Sequence, residues 1–182
     1  MVTSLNALIL NKEGTTLCTT INVKKTGKPG IFIKGMAEGD AKMLLLKGLT
    51  AIQTTGYKTY PNGFVIEIEN SGIRPGMLTL PVTLAFLIAS KQVRPTMKLE
   101  NVVFEGDLKL DGEVIEMYNT SPSPQKPEPW PIEGKQIVTD NNKMHIVPQN
   151  TDLNLKMTMK GPYTVEVDSL RQVIGIIENS IK

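Results

Sequence analysis

The hydrophobic positions of the chain first follow the two-residue period of strands. Residues 5–10, 15–23 and 31–34 are rich in β-forming side chains, and turns that contain glycine separate them at 11–14 and 24–30. Runs of this kind, joined by short turns, predict β-strands. Three such strands in succession predict an antiparallel meander at the start of the chain.

The pattern then changes to the spacing of a helix. Over residues 40–56 the apolar positions recur at helical intervals, and they are Ala41, Leu44, Leu45, Leu49 and Ile52. Asp40 is a suitable N-terminal cap for this helix, and Gly56 is a suitable C-terminal cap. A further strand is predicted over residues 63–69.

The most apolar stretch of the chain predicts a helix over residues 79–90. Glycine and proline at residues 72–76 separate it from the preceding strand. Thr79 is the expected N-cap, and Pro81 falls in the first turn, where a missing N–H has no penalty. A helix that is apolar on all sides must be buried on all sides, so we expect this helix at the centre of the domain.

The second half of the chain returns to strands and then loses its periodicity. Residues 102–110 have strand character, and the Asp-Gly pair at 111–112 predicts a hairpin turn into residues 113–116. Residues 121–131 contain five of the twelve prolines, a density that excludes helix and interior strand. Trp130 within this stretch is a candidate for docking to a partner, but packing on the chain's own surface is the favoured interpretation.

A short strand and a helix complete the prediction. The strand covers residues 144–147, and the amphipathic helix covers residues 168–181 with Asp168 or Ser169 as its cap. This order of elements predicts an α/β (α+β) fold in which helices pack on a mixed sheet.

Composition limits the class of protein without identifying a reaction. The 182 residues form one predicted domain, 1–182, with a Pro-rich insertion at 119–142. The net charge of +2 gives no general attraction to nucleic acid or to a membrane. The lone cysteine, Cys18, fits a reducing compartment, and no run reaches the length of a membrane span. Because the N-terminus has no basic leader, we expect a cytoplasmic protein.

Short motifs follow one another in a distinctive order along the chain. They are Phe32-Ile-Lys-Gly35, Asn70-Ser-Gly-Ile-Arg74, Leu80-Pro-Val-Thr-Leu-Ala85, Ala89-Ser90, Gly106-Asp-Leu-Lys-Leu-Asp-Gly112, His145-Ile-Val-Pro148 and Asp168-Ser-Leu-Arg-Gln-Val-Ile174. In order and spacing they resemble the N-terminal domain of the Mg-chelatase-related (ChlI-related), competence protein ComM-like ATPases. The resemblance implies a fold similar to the proteolytic domain of Lon proteases, itself of the type seen in the second domain of a small-subunit ribosomal protein.

The resemblance also implies a partner. ComM-like proteins continue into an AAA+ ATPase module, whereas this chain contains no Gly-x-x-x-x-Gly-Lys-Ser/Thr phosphate-binding run. We therefore expect a stand-alone domain without an ATP site and without a cofactor. Its expected partner is a separate AAA+ ATPase or a second copy of the chain.

One candidate catalytic residue comes from the same resemblance. The Lon-type nucleophile is a serine at the start of the buried helix, and Thr79 stands at the matching position. The Lon-type lysine base would follow the Gly112 turn, but residues 115–121 contain no lysine and Lys126 is the nearest candidate. The dyad is therefore expected to be broken, which favours a non-catalytic role in protein interaction or assembly. The alternative is a hydrolase or peptidase that uses Thr79 with a non-standard base.

Two binding surfaces are further hypotheses. The loop before the central helix offers backbone N–H groups to an anion, and the candidate residues are Arg74, Gly76 and Thr79. Positive charge is concentrated on one predicted hairpin, which makes a nucleic-acid surface from Lys24, Lys25, Lys28 and Lys34. Because Phe32 is the one aromatic residue nearby for base stacking, a solvated hairpin tip is the simpler interpretation.

The histidine, the cysteine and the acidic residues do not favour a metal site. His145 and the lone cysteine cannot build a soft-ligand metal site, so no metal is expected. Asp107, Asp111, Glu113 and Glu116 group around the predicted hairpin. A solvated turn explains these carboxylates more simply than a divalent cation does.

Overall fold

The structure is a computed structural model. It describes residues 2–10, 16–59, 63–69, 78–116, 143–149 and 163–179. Its strands are β1 (Val2–Leu10), β2 (Thr16–Thr26), β3 (Ile31–Lys34), β4 (Gly63–Ile68), β5 (Val102–Phe104), β6 (Asp107–Leu108), β7 (Val114–Ile115), β8 (Met144–Pro148) and β9 (Tyr163–Val167). Its α-helices are α1 (Glu38–Thr54), α2 (Thr79–Ala89) and α3 (Leu170–Glu178). A short 3-10 helix, Leu99–Asn101, leads into β5.

Seven of the described strands form one mixed sheet in the order β3-β4-β2-β1-β5-β8-β9. β2 is antiparallel to both of its neighbours, and the remaining neighbours are parallel. β6 and β7 pair with each other in a separate hairpin. A mixed sheet packed with helices confirms the predicted α/β (α+β) class.

The predicted three-stranded meander is wrong. β1 and β2 do form an antiparallel pair, but β4 lies between β2 and β3. β4 runs parallel to β3 because α1 connects the two strands, and parallel neighbours need a crossover of this kind. The third strand of the chain therefore lies at the edge of the described sheet.

α2 occupies the centre of the core, as its apolar sequence predicts. Each of its residues from Thr79 to Leu87 is buried. The helix packs on β1 and β2 and against α1. Leu5 and its alternate neighbours in β1 face it from the sheet. Phe64 of β4 and Phe86 of α2 meet edge to face, with ring centroids 4.9 Å apart.

The sheet is covered on both faces near β5. Adjacent residues of a strand point to opposite faces, and Val103 and Phe104 are both buried. Phe104 belongs to the core under the helices, whereas Val103 shares the other face with Val147 of the adjacent strand. Polar side chains on this second face are consequently shielded from water.

Two helix caps follow the sequence prediction. Gly56 adopts a left-handed conformation (φ +92°) after α1, and the N–H of Tyr57 donates to the Ile52 carbonyl at 2.9 Å. This is the glycine-dependent helix end that the sequence indicates. At the start of α3 the Ser169 side chain accepts the N–H of Gln172, so Ser169 is the cap.

The caps predicted for the other two helices are wrong. α1 begins at Glu38 after Ala37, which places Asp40 inside the first turn. α2 begins at Thr79 after Leu78, so Thr79 is already a helical residue. Neither N-cap side chain accepts a hydrogen bond. Leu78 is fully buried, which indicates that core packing and not capping sets where α2 starts.

Gly106 interrupts the strand predicted over residues 102–110. Its φ of +128° turns the chain out of the sheet after β5, and the following residues pair with β7 instead. The Asp-Gly turn at 111–112 lies in the hairpin as predicted, with the N–H of Gly112 donating to the Lys109 carbonyl at 3.0 Å. The β6–β7 hairpin therefore stands apart from the main sheet.

The C-terminal part contains a strand that the sequence analysis does not predict. β9 lies parallel to β8 at the edge of the described sheet. Its alternation of Tyr163, Val165 and Val167 with polar residues is typical of a strand. α3 ends at Glu178, before the predicted end at residue 181.

The substitution Gly63→Ala tests how closely β4 packs against the turn before β3. A Cβ on this residue would lie 1.4 Å from the Lys28 carbonyl oxygen, so Gly63→Ala must displace backbone. We expect the free energy of unfolding to fall by about 3 kcal/mol, in the upper part of the usual range for overpacking. Urea unfolding followed by circular dichroism measures this loss.

Gly175 provides the control for that substitution. It lies in α3, and a Cβ there would meet no atom within 4 Å. Gly175→Ala is expected to raise the free energy of unfolding by up to about 1 kcal/mol, because alanine favours a helix over glycine. Equal urea midpoints for Gly63→Ala and the unmodified protein would contradict the predicted clash.

Candidate functional site

The candidate nucleophile lies in the interior of the protein. Thr79 is 1% exposed, and its neighbours Leu78 and Leu80 are buried as well. The other two residues of the proposed anion site, Arg74 and Gly76, lie outside the described residues. The anion site therefore stays a prediction.

The residues of the Pro-rich stretch are also outside the described structure. Trp130 and Lys126 belong to this stretch, and so does the whole insertion predicted at 119–142. The docking role of Trp130 stays a prediction.

The four candidate lysines do not share one hairpin. Lys24 and Lys25 are exposed on β2, and Lys28 is exposed on the turn that follows. Lys34 lies on β3, and β4 separates it from β2. Its Nζ forms an ion pair with Glu67 Oε1 at 2.9 Å, and this hydrogen bond lowers the pKa of Glu67. Part of the positive charge is thus balanced locally.

The acidic residues near the hairpin separate into two groups. Asp111 and Glu113 are exposed at the turn, where Asp111 Oδ1 accepts the N–H of Glu113 at 3.0 Å. The solvated-turn interpretation is confirmed for these two. It is wrong for Asp107 and Glu116, which are buried.

Lys47 of α1 holds the buried Asp107. Lys47 Nζ donates to Asp107 Oδ2, and the N–H of Leu108 donates to Asp107 Oδ1 at 2.8 Å. The lysine side chain is 29% exposed and the aspartate side chain 2% exposed. This ion pair joins the first helix to the β6–β7 hairpin.

Two buried glutamates, Glu105 and Glu116, lie at the base of the same hairpin. Glu105 is 4% exposed, and Glu116 is 7% exposed. Burial, and then the nearby Glu116 carboxylate, raise the pKa of Glu105 to about 8. Glu105 Oε2 has no hydrogen-bond partner in the described part of the chain. A carboxyl in this state carries its proton at neutral pH.

His145 is a buried, neutral histidine. It lies on β8 beside Val103, on the sheet face opposite the helices. Burial and the charge of Lys143 lower the pKa of its imidazole. Its Nε2 has no hydrogen-bond partner within the described ranges. The ring therefore resists protonation, which a histidine on a solvated surface would not do.

The sequence analysis does not identify two of these residues, Glu105 and Lys47, as candidates. Glu105 is the one charged residue between Val102 and Gly106, and Lys47 is the one charged residue in the run Leu44–Leu49. A charged side chain inside an apolar run was the available signal, because such a residue is expected to be paired or to have a shifted pKa when it is buried.

The described residues contain no group of three or more His, Cys, Asp or Glu side chains arranged to hold a metal ion. Among the described helices, none has both the length and the apolar character needed to cross a bilayer.

Comparison with family models and with curated proteins finds no match for this chain.

Lys47→Met tests whether the Lys47–Asp107 ion pair holds the hairpin. Removing the lysine leaves the charge of Asp107 buried and uncompensated, so we expect a loss of about 3 kcal/mol in the free energy of unfolding. Lys34→Met removes an exposed ion pair and is expected to change this free energy by less than about 1 kcal/mol. Urea unfolding of both variants makes the comparison.

A double variant distinguishes the effect of the uncompensated Asp107 charge from the effect of the packing lost with Lys47. Adding Asp107→Asn to Lys47→Met removes the charge while keeping an acceptor for the Leu108 N–H. We expect most of the lost stability to return. If Lys47→Met is no more destabilising than Lys34→Met, the ion pair does not hold the hairpin.

Proposed function

We propose that this protein is a non-catalytic, Lon-protease-like domain of the Mg-chelatase-related, ComM-like type that works through protein interaction or assembly. The position of Thr79 is the observation that carries this proposal. The architecture agrees with it, since a mixed sheet supports a fully buried helix at the place where the Lon-type nucleophile would stand.

A hydrolytic nucleophile must be reached by its substrate. Thr79 is 1% exposed at the first turn of the central helix, so a peptide carbonyl has no approach to its hydroxyl. A hydroxyl nucleophile also needs a general base within hydrogen-bond distance. Lys47, on the neighbouring helix, is engaged by Asp107. The burial of Thr79 favours a structural role over the alternative of a hydrolase.

Exposed apolar side chains support a role in assembly. Met43 and Leu46 are 52% and 67% exposed, and they are one helical turn apart on α1. Large apolar side chains that lie together on a surface favour protein contacts. The partner that we propose is a second copy of this chain, within an assembly that an AAA+ ATPase serves.

Thr79→Val tests the catalytic alternative with little change of shape. The purified protein is incubated with a fluorophosphonate probe and with casein, and labelling of Thr79 is followed by mass spectrometry. We expect no labelling of the native protein, because the hydroxyl is inaccessible, and no difference in casein hydrolysis between the two proteins. Labelling at Thr79, or hydrolysis that is lost in a folded Thr79→Val variant, would establish a hydrolase instead.

Sedimentation velocity over a range of concentrations tests assembly. We expect the unmodified protein to self-associate, and the double variant Met43→Gln with Leu46→Gln to associate more weakly. Val2→Thr is the matched control, since Val2 is also an exposed apolar residue, 53% exposed, but belongs to β1 and not to α1. A protein that stays monomeric at every concentration would contradict assembly by copies of this chain.

A further inference from the structure

One face of the sheet is open to solvent around β2, β4 and β3. Residues that lie opposite each other in neighbouring strands point to the same face, and the register places Phe32 beside Val65 and Val65 beside Lys24. Phe32 is 55% exposed, and Lys24 is exposed as well. The alternate residues Val23 and Ile66 belong to the core under the helices. The exposed residues therefore lie on the sheet face opposite the helices.

The turn that precedes β3 lies against the same face. Gly63 points to this face because it is two residues before Val65, and a Cβ on Gly63 would clash with the Lys28 carbonyl oxygen. The Thr26 hydroxyl donates to the same carbonyl at 3.0 Å, which fixes the turn in this position. The turn therefore brings the backbone of a second exposed lysine to this face.

The ring of Phe32 leans toward this turn. A Cβ on Gly30 would lie 3.3 Å from Phe32 Cε2 and 3.4 Å from Phe32 Cζ, so the ring occupies the space beside a residue that has no side chain. The ring is thus supported by backbone on one side, while more than half of the residue stays open to solvent. An aromatic ring that is held on a sheet and open to solvent is a platform on which a nucleic-acid base can stack.

The charge around this ring is mainly positive. The exposed charged residues on the face are Lys24, Lys28, Lys34 and Glu67, and Glu69 lies at the far end of β4. Lys34 Nζ pairs with Glu67 Oε1 at 2.9 Å, and the hydrogen bond to Lys34, with a weaker contribution from the charge of Lys24, lowers the pKa of Glu67. Within the described residues, neither Lys24 nor Lys28 forms an ion pair. These two lysines are therefore available to an anion.

We propose that Lys24, Lys28 and Phe32 form a basic patch that binds single-stranded nucleic acid. One base stacks on the Phe32 ring, and the two lysine ammonium groups neutralise phosphates on either side of that base. Phe32 and Lys24 are separated by two strand spacings, about 10 Å, a distance that the long lysine side chain shortens. The patch is independent of the exposed side chains of α1, which lie on the helix side of the sheet.

The aromatic ring distinguishes this patch from a surface that is only basic. Phosphate contacts provide affinity for any polyanion, including an acidic protein segment. Stacking on an aromatic side chain adds affinity that a base supplies whatever the sequence, because every base has a flat face. Charge and stacking together therefore favour single-stranded nucleic acid over an acidic protein.

Lys25 provides a contrast within the same strand. It is exposed like Lys24, but adjacent residues of a strand point to opposite faces. Lys25 lies opposite Phe64, which is buried in the core on the helix side. The two lysines thus carry the same charge at adjacent positions, and only Lys24 belongs to the basic patch.

Fluorescence anisotropy of a labelled oligothymidine of about 12 nucleotides, titrated with the whole protein between about 50 and 200 mM salt, tests the patch. With two phosphates neutralised, the logarithm of the association constant is expected to fall with the logarithm of the salt concentration with a slope of about −1.4, which is about seven-fold over this range. Lys24→Gln should make this slope shallower by about 0.7, whereas Lys25→Gln should retain it.

Two substitutions of Phe32 test stacking separately from charge. Phe32→Leu removes the ring and is expected to weaken binding about ten-fold without changing the salt slope. Phe32→Tyr keeps a ring and is expected to retain the affinity. Because Phe32 is 55% exposed, both variants are expected to fold, and circular dichroism checks this.

Polyglutamate of the same charge as the oligonucleotide is the competitor that separates the two kinds of partner. It supplies negative charge without bases, so we expect it to displace the oligonucleotide only weakly. The proposal is overturned if the unmodified protein does not bind the oligonucleotide, or if Lys24→Gln and Lys25→Gln change the salt slope equally. Polyglutamate that binds as tightly as the oligonucleotide would also overturn it, and would identify a surface for acidic proteins.

Discussion

Burial of α2 on all sides is the constraint on which the rest of the structure depends. A helix with no polar face gains stability only when other elements remove all of its surface from water. β1 and β2 cover it from the sheet, and α1 covers its flank so closely that a Cβ on Gly48 would lie 2.6 Å from Thr83 Oγ1. The position of α1 in turn makes β3 and β4 parallel neighbours.

The same constraint explains why the side chain of Thr79, the candidate nucleophile, is buried. At the start of a fully buried helix, a side chain is available to a substrate only if the neighbouring loop leaves it open. Thr79 lies between Leu78 and Leu80, and all three are buried. Packing of the helix and access to the Thr79 hydroxyl are separate requirements, and the structure satisfies the packing of the helix by burying the hydroxyl.

The burial of the carboxyl groups of Glu105 and Asp107 has a common origin in Gly106, which stands between them. Its backbone conformation turns the chain out of the sheet, which leaves Glu105 on the sheet and directs Asp107 toward Lys47 of α1. The carboxylate of Asp107 is paired with the Lys47 ammonium group, whereas the carboxyl of Glu105 is neutral because its raised pKa keeps it protonated. These are the two ways in which a protein interior accommodates a carboxyl group.

Local patterns in the sequence determined most of the helices and strands, because helix and strand periods act over a few residues, but they did not predict β9 or the N-terminal caps of α1 and α2. The strand Ile31–Lys34, the buried helix from Thr79 and the Ser169 cap were all readable in this way. The order of the strands required the tertiary structure, since β4 is inserted between β2 and β3 by contacts that are distant in sequence. The division of the hairpin acids into exposed and buried residues also required it. Asp107 and Asp111 each stand next to a glycine in the sequence, but Asp107 is buried and paired with Lys47 of α1, whereas Asp111 is exposed.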